Sequence, residues 1–158
     1  MNQRNPFMIA LARYVLCTAM VAFVSQTSLA ATSCRFTSVD PVSFGVYDVF
    51  ATQPNNNGVG SITIDCKGSG NDPFDVTLST GQSHSYTTRT MRSGVNHLDY
   101  NLYTGADRSA VWGDGHGNQL MTVRKNKATT LHVYGQMPAG QDVAVGTHTD
   151  AIVATVNF

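Results

Sequence analysis

The sequence predicts an all-β fold, a sandwich of two sheets, on three observations. Short segments in which apolar and polar residues alternate recur about every 8–15 residues, with clusters of Gly, Pro, Asn and Ser between them. After residue 30, no window of 11 residues shows the 3.6-residue period of an amphipathic helix. All ten acidic residues are Asp, which favours turns, and none is Glu, which favours helices.

The first thirty residues have the pattern of a secretory signal peptide. Two arginines precede an apolar run, and small residues follow the run up to Ala30. We therefore predict cleavage between Ala30 and Ala31, with a signal peptide over 1–30 and one domain over 31–158. The apolar run is too short for a membrane anchor, which needs about 20 residues. A bulky leucine before the cysteine of this run disfavours a lipid anchor.

Cleavage at this position makes the domain weakly acidic. The chain has ten basic and ten acidic residues, and Arg4 and Arg13 leave with the signal peptide, so the domain has a net charge of −2. It contains no basic block, and nucleic acid is therefore not an expected partner. We expect the protein in the periplasm in transit and then at the cell surface or outside the cell, without membrane insertion once the signal peptide is removed.

The cysteines predict a disulfide. Cys17 lies in the signal peptide, which leaves Cys34 and Cys66 as an even pair in an exported domain. An oxidising compartment favours their pairing. The bond would tie the first strand, which is otherwise a poorly protected edge, to a neighbouring strand.

The alternating segments follow one another along the domain. The first, "CRFTSVDPVSFGVYDVF", contains Phe36 and then places Val42, Phe44 and Val46 in step. "SITIDC", "FDVTLS", "HLDYNLY" and "TTLHVYGQ" each carry their apolar residues on one face. "PNNNGVG", "KGSGNDP", "WGDGHGN" and "MPAGQDVAVG" are predicted loops. The residues expected to face the core in these later strands are Ile62, Ile64, Cys66, Phe74, Val76, Leu78, Leu98, Tyr100, Leu102, Leu131 and Val133.

The final segment, "DAIVATVNF", alternates up to the last residue of the sequence. One face carries Ile152, Ala154, Val156 and Phe158, and the other carries Ala151, Val153 and Thr155. We expect the first of these faces to be one wall of a groove that a strand from another chain completes.

The sequence lacks the residue patterns of an enzyme or a metal site. Its five histidines, at positions 84, 97, 116, 132 and 148, have no metal-binding spacing, and those in strands fall at outward positions. "WGDGHGNQ" resembles a glycine-rich phosphate loop, but no helix pattern follows it. The aspartates Asp65, Asp75, Asp99 and Asp150 are predicted outward strand or turn residues. We therefore predict no enzymatic activity, no metal and no cofactor.

The two arginines near Met91 and the single tryptophan are interpreted as structural residues. "TRTMRSG" predicts a strand in which Met91 points inward while Arg89 and Arg92 are solvated. Trp112, the single tryptophan, is predicted to pack in the core or against a turn, with stacking on a glycan as the alternative.

The order of several motifs resembles the spore coat protein U domain, a family that includes the subunits of archaic chaperone–usher pili. After a cysteine near the start of the domain come "VSFGVYD", "GSITIDC", "VTLSTG", "TRTM", "LDYNLYT", "VWGDG", "LHVYGQMPAGQDVAVGTHTD" and "IVATVNF". The resemblance extends from Cys34 to Phe158. It implies an immunoglobulin-like sandwich that lacks its last strand. In this family a periplasmic chaperone lends the missing strand, and at an outer-membrane usher the N-terminal extension of the next subunit replaces it.

One feature departs from the pattern of a polymerising pilus subunit. Such a subunit needs a donor arm of about ten residues before its first cysteine, whereas cleavage after Ala30 leaves only "ATS" before Cys34. A subunit of this kind can accept a strand but not donate one. Cleavage after Ala19 would instead leave "MVAFVSQTSLAATS" as an arm, at the cost of placing Arg13 inside the apolar run.

Two functions from different classes are consistent with these residue patterns. The first is a secreted structural subunit of a surface pilus, fimbria or coat that supports adhesion or biofilm formation. Its expected partners are a periplasmic pilus chaperone, an outer-membrane usher and other fibre subunits. The second is a stand-alone extracellular binding module, with carbohydrate as a candidate ligand, whose groove is filled by its own chain.

The N-terminus of the exported protein distinguishes the two cleavage sites. We expect Ala31 as the first residue, because the small residues up to Ala30 suit signal peptidase. Intact-mass measurement of the exported protein checks this. An N-terminus at or before Met20 would contradict it and would give the subunit a donor arm.

Overall fold

The computed structural model describes residues 31–70 and 72–157; the predicted signal peptide, which includes Ala30, and Phe158 lie outside them. These residues form eight β-strands and one short 3₁₀ turn, Gly81–Ser83, with no α-helix among them. The strands are β1 Ser33–Ser43, β2 Val59–Lys67, β3 Phe74–Leu78, β4 Arg89–Ser93, β5 Asn96–Tyr103, β6 Met121–Val123, β7 Lys127–Gln136 and β8 Ala154–Asn157.

The strands form two antiparallel sheets, with the orders β1-β2-β7-β5-β4 and β6-β3-β8. In an immunoglobulin-type sandwich the first, second, fifth and fourth strands form one sheet, while the third, sixth and seventh form the other. β4 and β6 are additional strands at the sheet edges. Without them, β1, β2, β3, β5, β7 and β8 correspond in order to the first six strands of that sandwich. The chain is therefore an all-β, immunoglobulin-like sandwich, and β8 takes the place of the sixth strand.

The core lies between the two sheets and follows the period-2 patterns of the central strands. In β2, Ile62, Ile64 and Cys66 are buried while the residues between them are half-exposed. The predicted inward residues of β3, β5 and β7 are likewise buried, which confirms the alternation. The members of this core that lie outside these four strands include Phe44, Met91, Trp112, Val123 and Met137.

The first strand is bonded to its neighbour. Cys34 in β1 lies opposite Cys66 in β2, and the two form the predicted disulfide. The bond joins residues 32 positions apart, which on a chain-entropy model restricts the unfolded chain by about 3–4 kcal/mol. It fixes the start of an edge strand that is mostly exposed along its length.

The predicted extension of the first strand pattern to Val46 is wrong. β1 ends at Ser43, Phe44 is buried, and Val46 is 90% exposed. Gly45 lies between them with a φ of 73°, a left-handed conformation that ends the extended backbone. The alternation in the sequence therefore continues past the point where the strand stops.

Trp112 is fully buried, and its indole N–H donates to the carbonyl of Val76 at 2.9 Å. The prediction of core packing is confirmed. A fully buried indole has no exposed face, and stacking of Trp112 on a glycan is therefore excluded.

The prediction that Arg89 is solvated is wrong, because its side chain is fully buried between the sheets. The guanidinium donates to the Ser79 carbonyl at 2.8 and 3.0 Å, to the Asn101 side-chain oxygen at 2.7 Å and to the Trp112 carbonyl at 2.7 Å. It also lies 5.3 Å from the ring centre of Tyr86. Among the described residues no carboxylate forms an ion pair with it, and burial lowers the pKa of Arg89.

Arg89 has the same strand phase as Met91, which is also buried, while Arg92 has the opposite phase and is exposed. The period-2 rule therefore does hold in β4. The sequence does not show that three acceptors, the Ser79 and Trp112 carbonyls and the Asn101 side-chain oxygen, meet the buried cation.

Replacing Arg89 with Lys should lower the free energy of unfolding by about 2–4 kcal/mol, because a lysine keeps the buried charge but cannot make the forked hydrogen bonds. Arg92→Lys is the matched control in the same strand and should change it by less than about 0.5 kcal/mol. Urea unfolding followed by Trp112 fluorescence measures both. Equal effects of the two variants would contradict the structural role of Arg89.

Candidate functional site

An open groove lies between the two sheets on the side where each ends in an edge strand, β1 in one sheet and β8 in the other. Its cavity has a volume of about 620 Å³. Core residues form the floor, β1 forms one wall, and residues 148–154 form the other. The lining residues are Phe36, Val39, Asp40, Pro41, Val42, Phe44, Ile62, Leu78, Met91, Tyr100, Leu102, Val133, His148, Thr149, Asp150, Ile152 and Ala154.

The β1 wall exposes apolar side chains. Phe36 is 43% exposed and Val39 is 61% exposed, and both line the groove. They are three residues apart, which a regular strand would place on opposite faces. A register shift between Phe36 and Ser38 in the pairing of β1 with β2 changes the phase and brings both side chains to the same side.

On the opposite wall, Ile152 and Ala154, two of the four residues predicted for a partner-strand groove, line the cavity. Val156 is half-buried against the core but is not one of the lining residues. Phe158, the fourth predicted member, lies outside the described residues. Ala151, Val153 and Thr155 are exposed on the other face. The role of these residues in binding a partner strand is a proposal that we take up below.

The backbone of β8 is paired on one side only within the described residues. The Ser79 amide donates to the Val153 carbonyl at 2.9 Å, and the register continues through Thr77 opposite Thr155. Because hydrogen-bonded residues alternate along an antiparallel strand, the odd-numbered residues direct their backbone groups towards β3. The residues that direct their N–H and C=O groups towards the groove edge are therefore Ile152, Ala154 and Val156.

One end of the groove is polar. The Tyr100 hydroxyl donates to the Asp150 carboxylate at 2.7 Å. Burial, together with this hydrogen bond and the charge of Asp150, raises the pKa of Tyr100 well above the ordinary tyrosine value. The prediction that Asp150 is an outward residue is wrong: it lies in the irregular segment before β8, is half-buried, and lines the groove. Its inward hydrogen bonds come from distant parts of the chain, and its own segment carries no signal of them.

The histidines and acidic residues of the described part of the chain are spread over several strands and loops. Among the described residues, no three His, Cys, Asp or Glu side chains are placed to hold a metal ion. His97 and His132 are exposed on strands and His116 is exposed in a loop, as their phases indicated. Nor does the described part of the chain contain a helix long and apolar enough to cross a membrane.

The fold and the groove define a class of protein, a β-sandwich domain with an open apolar edge. The family can be named more closely. The Spore Coat Protein U domain model matches residues 19–155, most of the chain, and the chain belongs to this family. The match begins inside the predicted signal peptide, at the residue where the alternative cleavage would occur.

A curated relative and a solved structure are similar to the chain. Protein U of Myxococcus xanthus is 29% identical over 132 residues, which cover 74% of this chain and 71% of the relative. The pre-assembly complex of the chaperone CsuC with the tip adhesion subunit CsuE, from archaic chaperone–usher Csu pili of Acinetobacter baumannii, matches with a TM-score of 0.51 and 23% identity. That match covers 81% of this chain but only 40% of the other chain, and it shows similarity of fold.

The buried phenol of Tyr100 should make stability fall with rising pH. Unfolded tyrosine ionises near pH 10, while in the folded domain the pKa is higher. Above about pH 10 the unfolded chain therefore loses this proton while the folded chain keeps it, which favours unfolding by up to about 1.4 kcal/mol per pH unit. Urea unfolding of wild type and Tyr100→Phe between pH 8 and about 11 measures the effect. The variant should have the shallower slope above pH 10, and identical slopes would contradict this account of Tyr100.

Proposed function

We propose that this protein is an exported, non-enzymatic structural subunit of a surface pilus, fimbria or coat, and that a β-strand from another chain completes its groove. A periplasmic chaperone supplies the strand during transit. At an outer-membrane usher, a strand from another fibre subunit replaces the strand of the chaperone. The assembled fibre or coat acts in adhesion or biofilm formation at the cell surface.

One observation carries this proposal: on one wall of the groove, the same residues have both apolar side chains that are not covered and backbone groups that are not hydrogen-bonded by any described residue. Ile152 and Ala154 present apolar side chains to the cavity. The same residues direct to its edge backbone groups that have no partner among the described residues. A docked strand satisfies both requirements, since it supplies side chains to the cavity and hydrogen bonds to the backbone. Four or five docked apolar side chains would contribute roughly 6–15 kcal/mol before the costs of association.

An open apolar edge also explains the need for a chaperone. The wall formed by β1 exposes Phe36 and Val39, and β8 is an edge strand. Exposed strand edges with apolar side chains aggregate through edge-to-edge pairing. A partner that covers the groove during export would suppress that reaction.

Family membership supports the structural role, and the similar solved structure supports the type of partner. That structure is a complex of a chaperone with a tip adhesion subunit before assembly. The usher and the other fibre subunits are inferred for this chain from the family resemblance.

The alternative, a stand-alone carbohydrate-binding module with a self-filled groove, has no specific observation in its favour. No described residue fills the groove, and the single tryptophan is buried in the core. Such a module would be a stable monomer without a chaperone.

The test is a pair of neighbouring substitutions on opposite faces. Ile152→Asp places a charge in the groove, where an apolar donor strand must dock, at a large desolvation cost. Val153→Asp is the matched control, because Val153 is 62% exposed on the other face. Each variant is co-expressed with a tagged periplasmic pilus chaperone from the same genome and purified through the tag. We expect Ile152→Asp to reduce capture at least about tenfold and Val153→Asp to leave it near the wild-type amount.

Val156→Asp and Thr155→Asp form a second pair, nearer the end of β8. We expect Val156→Asp to reduce capture by the chaperone and Thr155→Asp to leave it near the wild-type amount. Capture of Ile152→Asp and Val156→Asp at the wild-type amount would overturn the groove proposal. A chaperone-free wild-type monomer that is folded and does not aggregate would favour the self-contained module instead.

A further inference from the structure

The segment before β8 joins the edges of the two sheets. Thr149 pairs with Arg92 at the edge of β4, through hydrogen bonds of 2.8 and 3.0 Å. Four residues later, Val153 is paired with Ser79 at the end of β3. Residues 149–153, here called the connector, therefore cross the end of the sandwich. Their side chains at positions 149, 150 and 152 line the groove.

The carboxylate of Asp150 holds the connector in place. It accepts hydrogen bonds from the Tyr100 hydroxyl at 2.7 Å, the Gln82 amide at 3.0 Å and the Ala151 amide at 2.8 Å. The side chain of Gln82 also donates to the Thr149 carbonyl at 3.2 Å. These contacts join the connector both to a core strand, β5, and to the short 3₁₀ turn that follows β3.

The 3₁₀ turn fits closely around the carboxylate. Gly81 has a φ of 64°, and a Cβ atom at this position would lie 2.1 Å from an Asp150 carboxylate oxygen. A side chain here would displace the carboxylate and strain the backbone as well. The glycine therefore lets the 3₁₀ turn come close to the carboxylate, and the carboxylate of Asp150 accepts the hydrogen bonds.

Ser79 connects the same region to the buried cation. Its carbonyl accepts two hydrogen bonds from Arg89, and its hydroxyl accepts one from the Val153 amide at 2.9 Å. The start of β8 is thus fixed to the interior through Ser79. Asp150 fixes the other half of the connector.

We propose that Asp150 is a positioning residue for strand docking, which holds the connector so that Ile152 and Ala154 are in place before the partner strand arrives. The proposal rests on the proposed function of the groove. A connector released from Tyr100 and Gln82 would have to be ordered when the partner binds, and that ordering cost slows association. Asp150 need not contact the partner strand to have this effect.

The test separates folding of the domain from docking of the strand. The protein, unfolded in urea with its disulfide intact, is diluted into buffer that contains the fluorescently labelled periplasmic pilus chaperone. Trp112, fully buried in the core, reports folding, and the label on the chaperone reports docking. Asp150→Asn replaces an acceptor oxygen with an amide that repels one of the donors. Asp75→Asn is the control, because Asp75 is exposed on the outer face of β3.

We expect Asp150→Asn to slow docking about 3- to 10-fold, the effect of roughly one hydrogen bond. The folding rate measured by Trp112 fluorescence, here called the Trp112 phase, should change less than about twofold. Tyr100→Phe removes one donor but keeps the carboxylate, so it should slow docking in the same direction by a smaller factor. Asp75→Asn should match the wild type in both signals.

Three results would overturn the inference. If Asp150→Asn and Tyr100→Phe dock at the wild-type rate, the connector needs no such positioning. If both variants slow the Trp112 phase as much as the docking phase, Asp150 acts in folding alone. If the wild-type protein itself does not dock, the proposed function of the groove fails, and the inference fails with it.

Discussion

The edge strand β8 is the feature on which the rest of the structure depends, because only one of its two edges is paired among the described residues. The strand is fully paired to β3 on one side, while on the other its backbone groups and its apolar side chains open into the same groove. A soluble domain ordinarily avoids such an edge by covering, charging or shortening it. Here the edge carries neither Lys nor Pro among the described residues of β8, which is consistent with a surface meant to be paired.

The rest of the molecule holds the two walls of the groove apart and in place. The disulfide anchors the start of β1 to β2, and the bulge in β1 directs its apolar side chains to the cavity. Across the groove, Arg89 and Asp150 fix the connector through Ser79, Tyr100 and Gln82. The groove is therefore formed by the folded domain rather than by a flexible gap, and a preformed site binds with a smaller ordering cost.

The sequence predicted those parts of the fold that follow from local alternation. The buried faces of β2, β3, β5 and β7 and the disulfide could be read directly, because each strand has one face in the core. The role of β1 as a groove wall could not, since a bulge changes its phase between Phe36 and Val39. The buried position of Arg89 was also missed, although its phase with Met91 indicated it, because an unpaired buried cation is rare. The contacts of Asp150 join residues about 50 and 68 positions apart, and no local pattern encodes them.

For the proposed role as a fibre subunit, the position of the mature N-terminus matters. The family match begins at residue 19, whereas the predicted domain begins at Ala31. On the proposed function, a mature chain that begins at Met20 would keep a segment before Cys34 to donate as a strand, as well as a groove to accept one. On the proposed function, a chain that begins at Ala31 would only accept a strand.

Amide hydrogen exchange at the edge of β8 tests the central claim most directly. The amides of Ile152, Ala154 and Val156 point to the groove, while that of Val153 is bonded to Ser79. NMR of the wild-type protein, bound to the chaperone and again after the chaperone is removed in mild denaturant, would measure exchange at these residues. The account predicts that the three even-numbered amides are protected only in the complex, while the Val153 amide is protected whenever the domain is folded. Equal protection of all four amides in the chaperone-free folded domain would show that its own chain fills the groove, and would contradict the account.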